Sequence, residues 1–350
     1  MGGTGIKSLV LDFSQLFMSA FFAGDKYLKY TTSYGTSISG CYIFLKTLFN
    51  YLDTFHPHRV FIVTDTGKSV YRRKLYRDYK KGRSAFSTET QRREWQRQRK
   101  IIYDCLRVSP FHFVSSTDVE ADSIISFIVR VMSKVGSVTI VSRDKDFYQL
   151  KAFGVEIFDP VSKTFLQRED IAKAYGFDSA EFQYEQLPLL IAIMGDKDEV
   201  PGIKSLGPKF CSILIEKVLK NHPQLRSPKE FLDVLSSMEW GKWQKKINLI
   251  LDRKDQFEVN YKLCNLLEDD PTLVPSLLYN YILEEKKFDM DVFMDVVRQY
   301  ELEVVIREDI LINFLNKWKV ELKQSSYPEL YRKAKRMATV LATQKGSLVV

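Results

Sequence analysis

Six carboxylates stand where strands and helices would present them together. Asp12 ends the apolar run Lys7-Ser8-Leu9-Val10-Leu11-Asp12, Asp65 ends Arg59-Val60-Phe61-Ile62-Val63-Thr64-Asp65, and Asp144 and Asp146 follow Ser137-Val138-Thr139-Ile140-Val141-Ser142. Glu120 and Asp122 come just after the helix-capping residues Ser116, Thr117 and Asp118, in what reads as the first turn of a helix. Acids in a first turn also suit the helix dipole, but their convergence with strand-end carboxylates points beyond that. Such a crowd of acids would repel itself and take up protons unless a cation neutralised it. Hard oxygen donors without Cys or His select Mg²⁺ or Mn²⁺. Two such ions about 4 Å apart can generate hydroxide from water and stabilise both the attacking and leaving oxygens of an in-line phosphodiester displacement.

The elements that must hold these residues follow from hydrophobic periodicity. The three apolar runs read as strands buried on both faces, and residues 39–55 and 119–135 read as crossover helices. The expected fold class is α/β, a mostly parallel central sheet flanked by helices, with ligands at the carboxyl ends of the strands. Residues 187–194 form an apolar helix, the stretch from Gly195 to Lys209 breaks it, and residues 210–219 resume an amphipathic helix. In this helix-loop-helix, Gly202 and Gly207 would let backbone amides approach a phosphate, and Pro208 suits the first position of the second helix. Residues 230–251, 256–267, 289–300 and 308–323 read as further amphipathic helices with no chemistry beyond packing. The expected division is an α/β core over 1–185, a helix-hairpin-helix-type element over 186–225 and a helical region over 226–350.

Charge is concentrated. The chain carries +8, yet residues 68–107 hold 14 Lys and Arg against Asp78, Glu89, Glu94 and Asp104, so the remainder is slightly acidic. This basic segment is interleaved with Tyr71, Tyr76, Tyr79, Phe86 and Trp95, a pattern expected to attract phosphates and stack bases. With 45% hydrophobic and 27% charged residues in 350, disorder is excluded as the main state. No apolar run approaches the roughly 20 residues of a membrane span, and the amino terminus lacks a secretory pattern, so no membrane association and a cytoplasmic location are expected. Cys41, Cys105, Cys211 and Cys264 are too dispersed for a metal knuckle or redox pair and read as buried thiols. His56 and His58, separated by Pro57, read as a turn.

The blocks Leu11-Asp12-Phe13-Ser14, Tyr71-Arg72 with Leu75-Tyr76, Tyr79-Lys80 with Arg83, Val119-Glu120-Ala121-Asp122, Val141-Ser142-Arg143-Asp144-Lys145-Asp146, and Gly195-Asp196 through Pro201-Gly202-Ile203 occur in order. Together they resemble the 5′ nuclease superfamily of flap endonucleases, the 5′ nuclease domain of DNA polymerase I and the bacteriophage exonucleases called ribonuclease H. The resemblance covers about residues 7 to 220 and implies a divalent-metal-dependent 5′-3′ exonuclease and flap endonuclease, here of the bacteriophage or bacterial type, that removes RNA primers or 5′ flaps. It implies Asp12, Asp65, Glu120 and Asp122 as one metal group and Asp144, Asp146, Asp196 and Asp198 as a second. Lys80 and Arg83 would meet the scissile phosphate from a basic arch over 68–107, beside Arg72, Arg73 and Tyr79. Gly202, Ile203, Lys204, Gly207 and Lys209 would grip duplex backbone, with a monovalent cation at the hairpin. Implied partners are DNA with a 5′ flap, nick or RNA primer, and replication proteins such as a single-strand-binding protein or clamp.

Two departures stand out. The superfamily writes Glu-x-Asp-Asp where this chain has Glu120-Ala121-Asp122-Ser123, which implies a weaker second metal site. Its later acids are spaced Asp-x-x-Asp before Asn, whereas Asp196-Lys197-Asp198-Glu199 is one residue shorter before Pro201, leaving Asp198 and Glu199 as rival ligands. The alternatives are a catalytically silent DNA-binding homologue and a PIN-type ribonuclease.

Overall fold

The computed structural model describes residues 5–65, 67, 69–80, 86–196, 199–268, 282 and 286–321. In chain order its elements are β1 (Ile6–Asp12), α1 (Phe13–Tyr27), α2 (Ser39–Phe55), β2 (Arg59–Asp65), α3 (Val70–Leu75), α4 (Glu89–Val108), β3 (His112–Ser116), α5 (Ala121–Met132), β4 (Gly136–Val141), β5 (Glu156–Asp159) and β6 (Thr164–Phe165). They continue with α6 (Arg168–Tyr175), α7 (Leu187–Met194), α8 (Pro208–Leu214), α9 (Pro228–Ser237), α10 (Gln244–Leu251), α11 (Lys254–Cys264), α12 (Met290–Gln299) and α13 (Glu308–Glu321). The chain divides into two compact units.

The first unit comprises the described residues of Met1–Gly67, Ser84–Ser142 and Leu273–Val350. Its four strands run parallel in the order β3-β2-β1-β4, with Leu9 paired to Val60 and to Thr139, and Val63 paired to Val114. Val10, Phe61, Ile62 and Val63 are fully buried, as expected of strands covered on both faces. α5 buries Ile124, Ile125, Ile128 and Met132, and α2 buries Phe44, Leu45, Leu48 and Phe49, so these crossovers form much of the core. The strand over His112–Ser116 was not anticipated. Its run is only five residues long and contains a histidine and two serines, so it lacks the apolar signature of its neighbours.

The chain after residue 273 completes this unit rather than forming a third one. Tyr300 on α12 donates a 2.7 Å hydrogen bond to Asp104 on α4, and the ring of Phe314 on α13 lies 5.5 Å from that of Phe111. Lys286 donates to the Phe111 carbonyl at 2.6 Å, and the buried Arg59 guanidinium donates to the Ile282 carbonyl.

The second unit comprises the described residues of Lys68–Arg83 and Arg143–Thr272. It holds α3, a 3-10 segment over Lys145–Phe153, the antiparallel β5-β6 pair and α6 to α11. α7 is apolar on all sides and buried from Leu187 to Ile193. α8 runs on into a π turn over Ile215–Leu219, which extends it close to the expected end of the second hairpin helix.

One expectation is corrected here. The helix expected over 230–251 is two helices, because Trp240 turns its indole N–H back onto the Leu235 carbonyl at 2.8 Å and Gly241 adopts a left-handed φ of 51°. The chain enters the second compact unit at 68, leaves it at 83, re-enters at 143 and leaves again at 272. The basic segment 68–107 is accordingly shared between both units. Cys41, Cys105, Cys211 and Cys264 are all buried free thiols, and burial pushes Cys105 and Cys211 up to about 12. Among the described residues, no helix is long and apolar enough to cross a membrane.

Candidate active site

In the first unit, register decides where the acids point. Asp12, the last residue of β1, pairs with Val63, and Asp65 lies two residues further along β2. Residues two apart on a strand share a face, so Asp12 and Asp65 project to the same side at the carboxyl edge of the sheet. Asp12 is also the N-cap of α1, its Oδ1 accepting from the Gln15 amide at 3.3 Å. Ser116 ends β3 and its Oγ accepts from the Val119 amide at 3.1 Å, a turn that delivers Glu120 to the N-cap of α5 and Asp122 to its first turn. Asp65 Oδ2 accepts from the Ala121 amide at 3.3 Å, tying the end of β2 to that helix start. Asp12 and Glu120 are buried, at 8% and 4% exposure.

Hydroxyls underlie this edge. Thr64 Oγ1 lies 3.0 Å from Tyr103 Oη and 3.3 Å from Ser14 Oγ, fixing α1, β2 and α4 just beneath the acids. Burial holds the Tyr103 phenol above its ordinary range, so it stays a neutral hydrogen-bonding group. Ser123 stands where a further carboxylate was a candidate; its amide donates to Asp122 Oδ1 at 2.7 Å.

In the second unit, Asp144 caps the 3-10 segment, its Oδ1 accepting from the Asp146 amide at 3.0 Å. Burial, then Asp159 and Asp144, raise the nearby Tyr148 phenol. Asp196 opens a tight turn, closed by an antiparallel bridge with Val200. Gly195 has φ 75°, and a Cβ there would lie 2.3 Å from the Gly202 nitrogen. A Cβ on Gly202 would lie 2.2 Å from the Met194 carbonyl oxygen. Gly202 is therefore required for backbone packing at the base of the hairpin. α11 secures the same loop: Asn260, fully buried, donates to the Pro201 carbonyl at 2.6 Å and to the Ala192 carbonyl at 2.9 Å, and Gln256 reaches Pro201 at 3.1 Å.

Lys80 sits in a left-handed backbone, φ 52°, with Nζ 3.3 Å from Glu199 Oε1. Tyr79 donates to Glu199 Oε2 at 3.2 Å and accepts from Arg72 at 2.9 Å, so Arg72, Tyr79, Glu199 and Lys80 form a continuous polar chain. Arg72 and Tyr79 are buried at 4% and 3% exposure, and their hydrogen bonds position Glu199. Arg73 is exposed. Arg83 and Asp198 lie outside the described residues. In the hairpin Ile203 is buried and donates its amide to the Ile193 carbonyl at 2.7 Å. Lys204 and Lys209 are exposed, and Gly207 immediately precedes α8.

On α4 the aromatic residues pack inward. Trp95 lies 5.3 Å from Phe86 and 6.3 Å from Phe17, ring centre to ring centre, and carries Arg99 at 4.6 Å. Arg93 pairs with Glu89 at 3.3 Å, Arg97 pairs with Glu94, and Lys100 pairs with Asp104 at 2.7 Å.

Among the described residues, no three Asp, Glu, His or Cys side chains are drawn tightly enough together to hold an ion. The donor chemistry nevertheless fits a hard divalent cation: in the first unit Asp12, Asp65, Glu120 and Asp122 offer carboxylate oxygen alone, from one sheet edge and the adjoining helix start. Sequence reasoning missed the role of α11 in holding the hairpin loop and the lysines around Trp243. Lys242, Lys245 and Lys246 were the available signal for those lysines.

Residues 7–176 match the family model described as the 5′-3′ exonuclease, N-terminal resolvase-like domain. The chain is 27% identical over 307 residues to a 5′-3′ exonuclease of Aquifex aeolicus (strain VF5), covering 85% of this chain and 93% of that protein. It is 32% identical over 171 residues to flap endonuclease Xni of Shewanella denitrificans, covering 47% of this chain and 62% of that protein. The structure of the phage T5 5′-exonuclease with zinc bound superimposes with a TM-score of 0.59 at 18% identity, covering 86% of this chain and all of that one, a likeness of fold.

Proposed function

We propose that the chain belongs to the 5′ nuclease superfamily and is a divalent-metal-dependent 5′-3′ exonuclease and structure-specific flap endonuclease. Its substrate is DNA with a 5′ flap, nick or RNA primer, and its role is removal of primers or flaps in replication or repair. The observation that carries this reading is the placement of Asp12 and Asp65 on one face of neighbouring parallel strands, with Asp65 bonded to the start of the helix bearing Glu120 and Asp122.

Asp12, Asp65, Glu120 and Asp122 would hold one divalent ion, and Asp144, Asp146, Asp196 and Asp198 a second. Bound there, Mg²⁺ or Mn²⁺ would supply a hydroxide at neutral pH and neutralise charge on the scissile phosphate. Lys80 places its ammonium on that phosphate, where a fixed cation stabilises developing negative charge. Glu199 and Tyr79 restrict where that ammonium can go. Lys204 and Lys209 hold the duplex backbone, and a monovalent cation at the hairpin belongs to the same proposal. Arg83 would act beside Lys80.

The test uses purified protein with 5′-flap, nicked and RNA-primed duplexes, with Mg²⁺ and with chelator. Cleavage from the 5′ end that requires the metal is expected. Tight binding without cleavage would overturn the reading in favour of a silent DNA-binding homologue.

A further inference from the structure

A second cationic surface adjoins the hairpin in the second unit. The 3-10 turn Gly241–Trp243 runs directly into α10, and the sequence Lys242-Trp243-Gln244-Lys245-Lys246 sets Lys242 and Lys246 against one indole with Lys245 exposed beside Lys246 in the chain. The half-buried Trp243 ring lies 6.1 Å from that of Phe210, which is on α8 next to Lys209. Lys242 Nζ sits 5.2 Å from the Trp243 ring centre, and Lys246 Nζ sits 5.5 Å from the same ring and 5.2 Å from Phe210. Two ammonium groups are thus ordered by aromatic faces, and the ridge is continuous with the start of the hairpin's second helix.

The manner of that ordering matters. A carboxylate partner offsets part of the charge it holds, whereas an aromatic ring orders an ammonium and leaves its full charge for a ligand. α4 shows the first arrangement, with Arg93, Arg97 and Lys100 each set against an acid. Around α10 the second prevails: among the described residues, neither Lys242, Lys245 and Lys246 nor Lys204 and Lys209 has an ion-pair partner. Lys242 and Lys245 are exposed and Lys246 is half-exposed. Because the Trp243 ring packs on Phe210 beneath two lysines, it is not offered as a stacking platform of the kind single strands use. What meets solvent is a row of ammonium groups, which recognise phosphates without regard to sequence.

We propose that this ridge is a second binding site for the phosphate backbone of duplex DNA, extending the grip of the hairpin onto α10. The proposal rests on the reading of the hairpin as a duplex-binding element. Two full-chain variants separate the two claims: Lys242→Ala/Lys245→Ala/Lys246→Ala at the ridge, and Lys204→Ala/Lys209→Ala at the hairpin. Affinity is measured between 50 and 200 mM salt for a blunt duplex and for a single strand of equal length, ranges over which phosphate contacts are read from the salt slope. The ridge variant should flatten the duplex slope by about 2.7, at about 0.9 per lost phosphate contact, with less than half that change on the single strand. The hairpin variant should flatten the duplex slope by about 1.8 on the same arithmetic. A duplex slope unchanged in the ridge variant overturns the proposal, as does an equal loss on single strands, which would make the ridge a general anion surface. An unchanged hairpin slope beside a reduced ridge slope would overturn the hairpin reading and keep the ridge. If the triple variant misfolds, Lys245→Glu at its exposed position should still weaken duplex binding about tenfold at low salt, and unaltered binding by it would overturn the proposal.

Discussion

Lys80 shows how a residue type acquires a role from its surroundings. Its left-handed backbone, its ion pair to Glu199 and the Tyr79 hydroxyl on the same carboxylate confine the ammonium to one place. Lys80→Ala should lower the single-turnover rate on the order of 10²-fold at saturating DNA, the loss expected for one fixed charge on a transition state. Restoration of the rate by excess DNA would reduce the lysine to a binding contact. Glu199 was legible as a rival metal ligand, but nothing in the sequence links positions 80 and 199. Both of its oxygens are engaged by Lys80 and Tyr79, so Glu199→Gln should slow the reaction several-fold while leaving the Mg²⁺ concentration for half-maximal rate unchanged. A rise in that concentration of about tenfold or more, as loss of a ligand gives, would assign Glu199 to the metal. Ser123 tests the other departure from the superfamily pattern. Ser123→Asp adds an oxygen donor beside Asp122 and should lower the Mg²⁺ requirement, which a titration of rate against Mg²⁺ measures directly.

At the scale of elements, the strands ending in Asp12 and Asp65 and the helix over Ser39–Phe55 were readable because buried parallel strands are continuous apolar runs and amphipathic helices repeat every three or four residues. β3 was not readable, since its five residues mix polar and apolar types without period, and the break between α9 and α10 depends on a tryptophan folding back on its own helix. Least readable was the attachment of the distal chain, which acts in part through main-chain carbonyls that leave no trace in side-chain pattern. Lys286 is the clearest case. It donates to the Phe111 carbonyl at 2.6 Å and reaches toward Leu106, near the end of α4, and burial lowers it to about 8. In the unfolded chain a lysine titrates near 10.4, so between about 8 and 10.4 the unfolded state holds the extra proton and stability rises with pH. Thermal melts should therefore show the midpoint of the wild type gaining about 2–5 °C relative to Lys286→Met between pH 7.5 and 10. Parallel curves for the two proteins across that range would show that the lysine stays charged in the fold.

At the scale of the whole molecule, the chain builds two compact units by leaving and re-entering each of them, so sequence order is a poor guide to its division. The acids were legible one by one from strand ends and helix starts. Their allocation was not: Asp12, Asp65, Glu120 and Asp122 belong to one unit, Asp144, Asp146 and Asp196 to the other, and only chain connectivity in three dimensions makes that assignment. The central claim is that the first unit's carboxylates are metal ligands for phosphodiester hydrolysis at 5′ ends. Its most direct test is single-turnover cleavage of a 5′-flap duplex by the wild type and by Asp65→Asn, in Mg²⁺ and in chelator, with DNA affinity measured alongside. Cleavage by the wild type in Mg²⁺ alone is expected, with none by Asp65→Asn and with affinities within a few fold of each other, because Asp65 acts as a metal ligand rather than a phosphate contact. Cleavage by Asp65→Asn near the wild-type rate, or cleavage that survives the chelator, would contradict it.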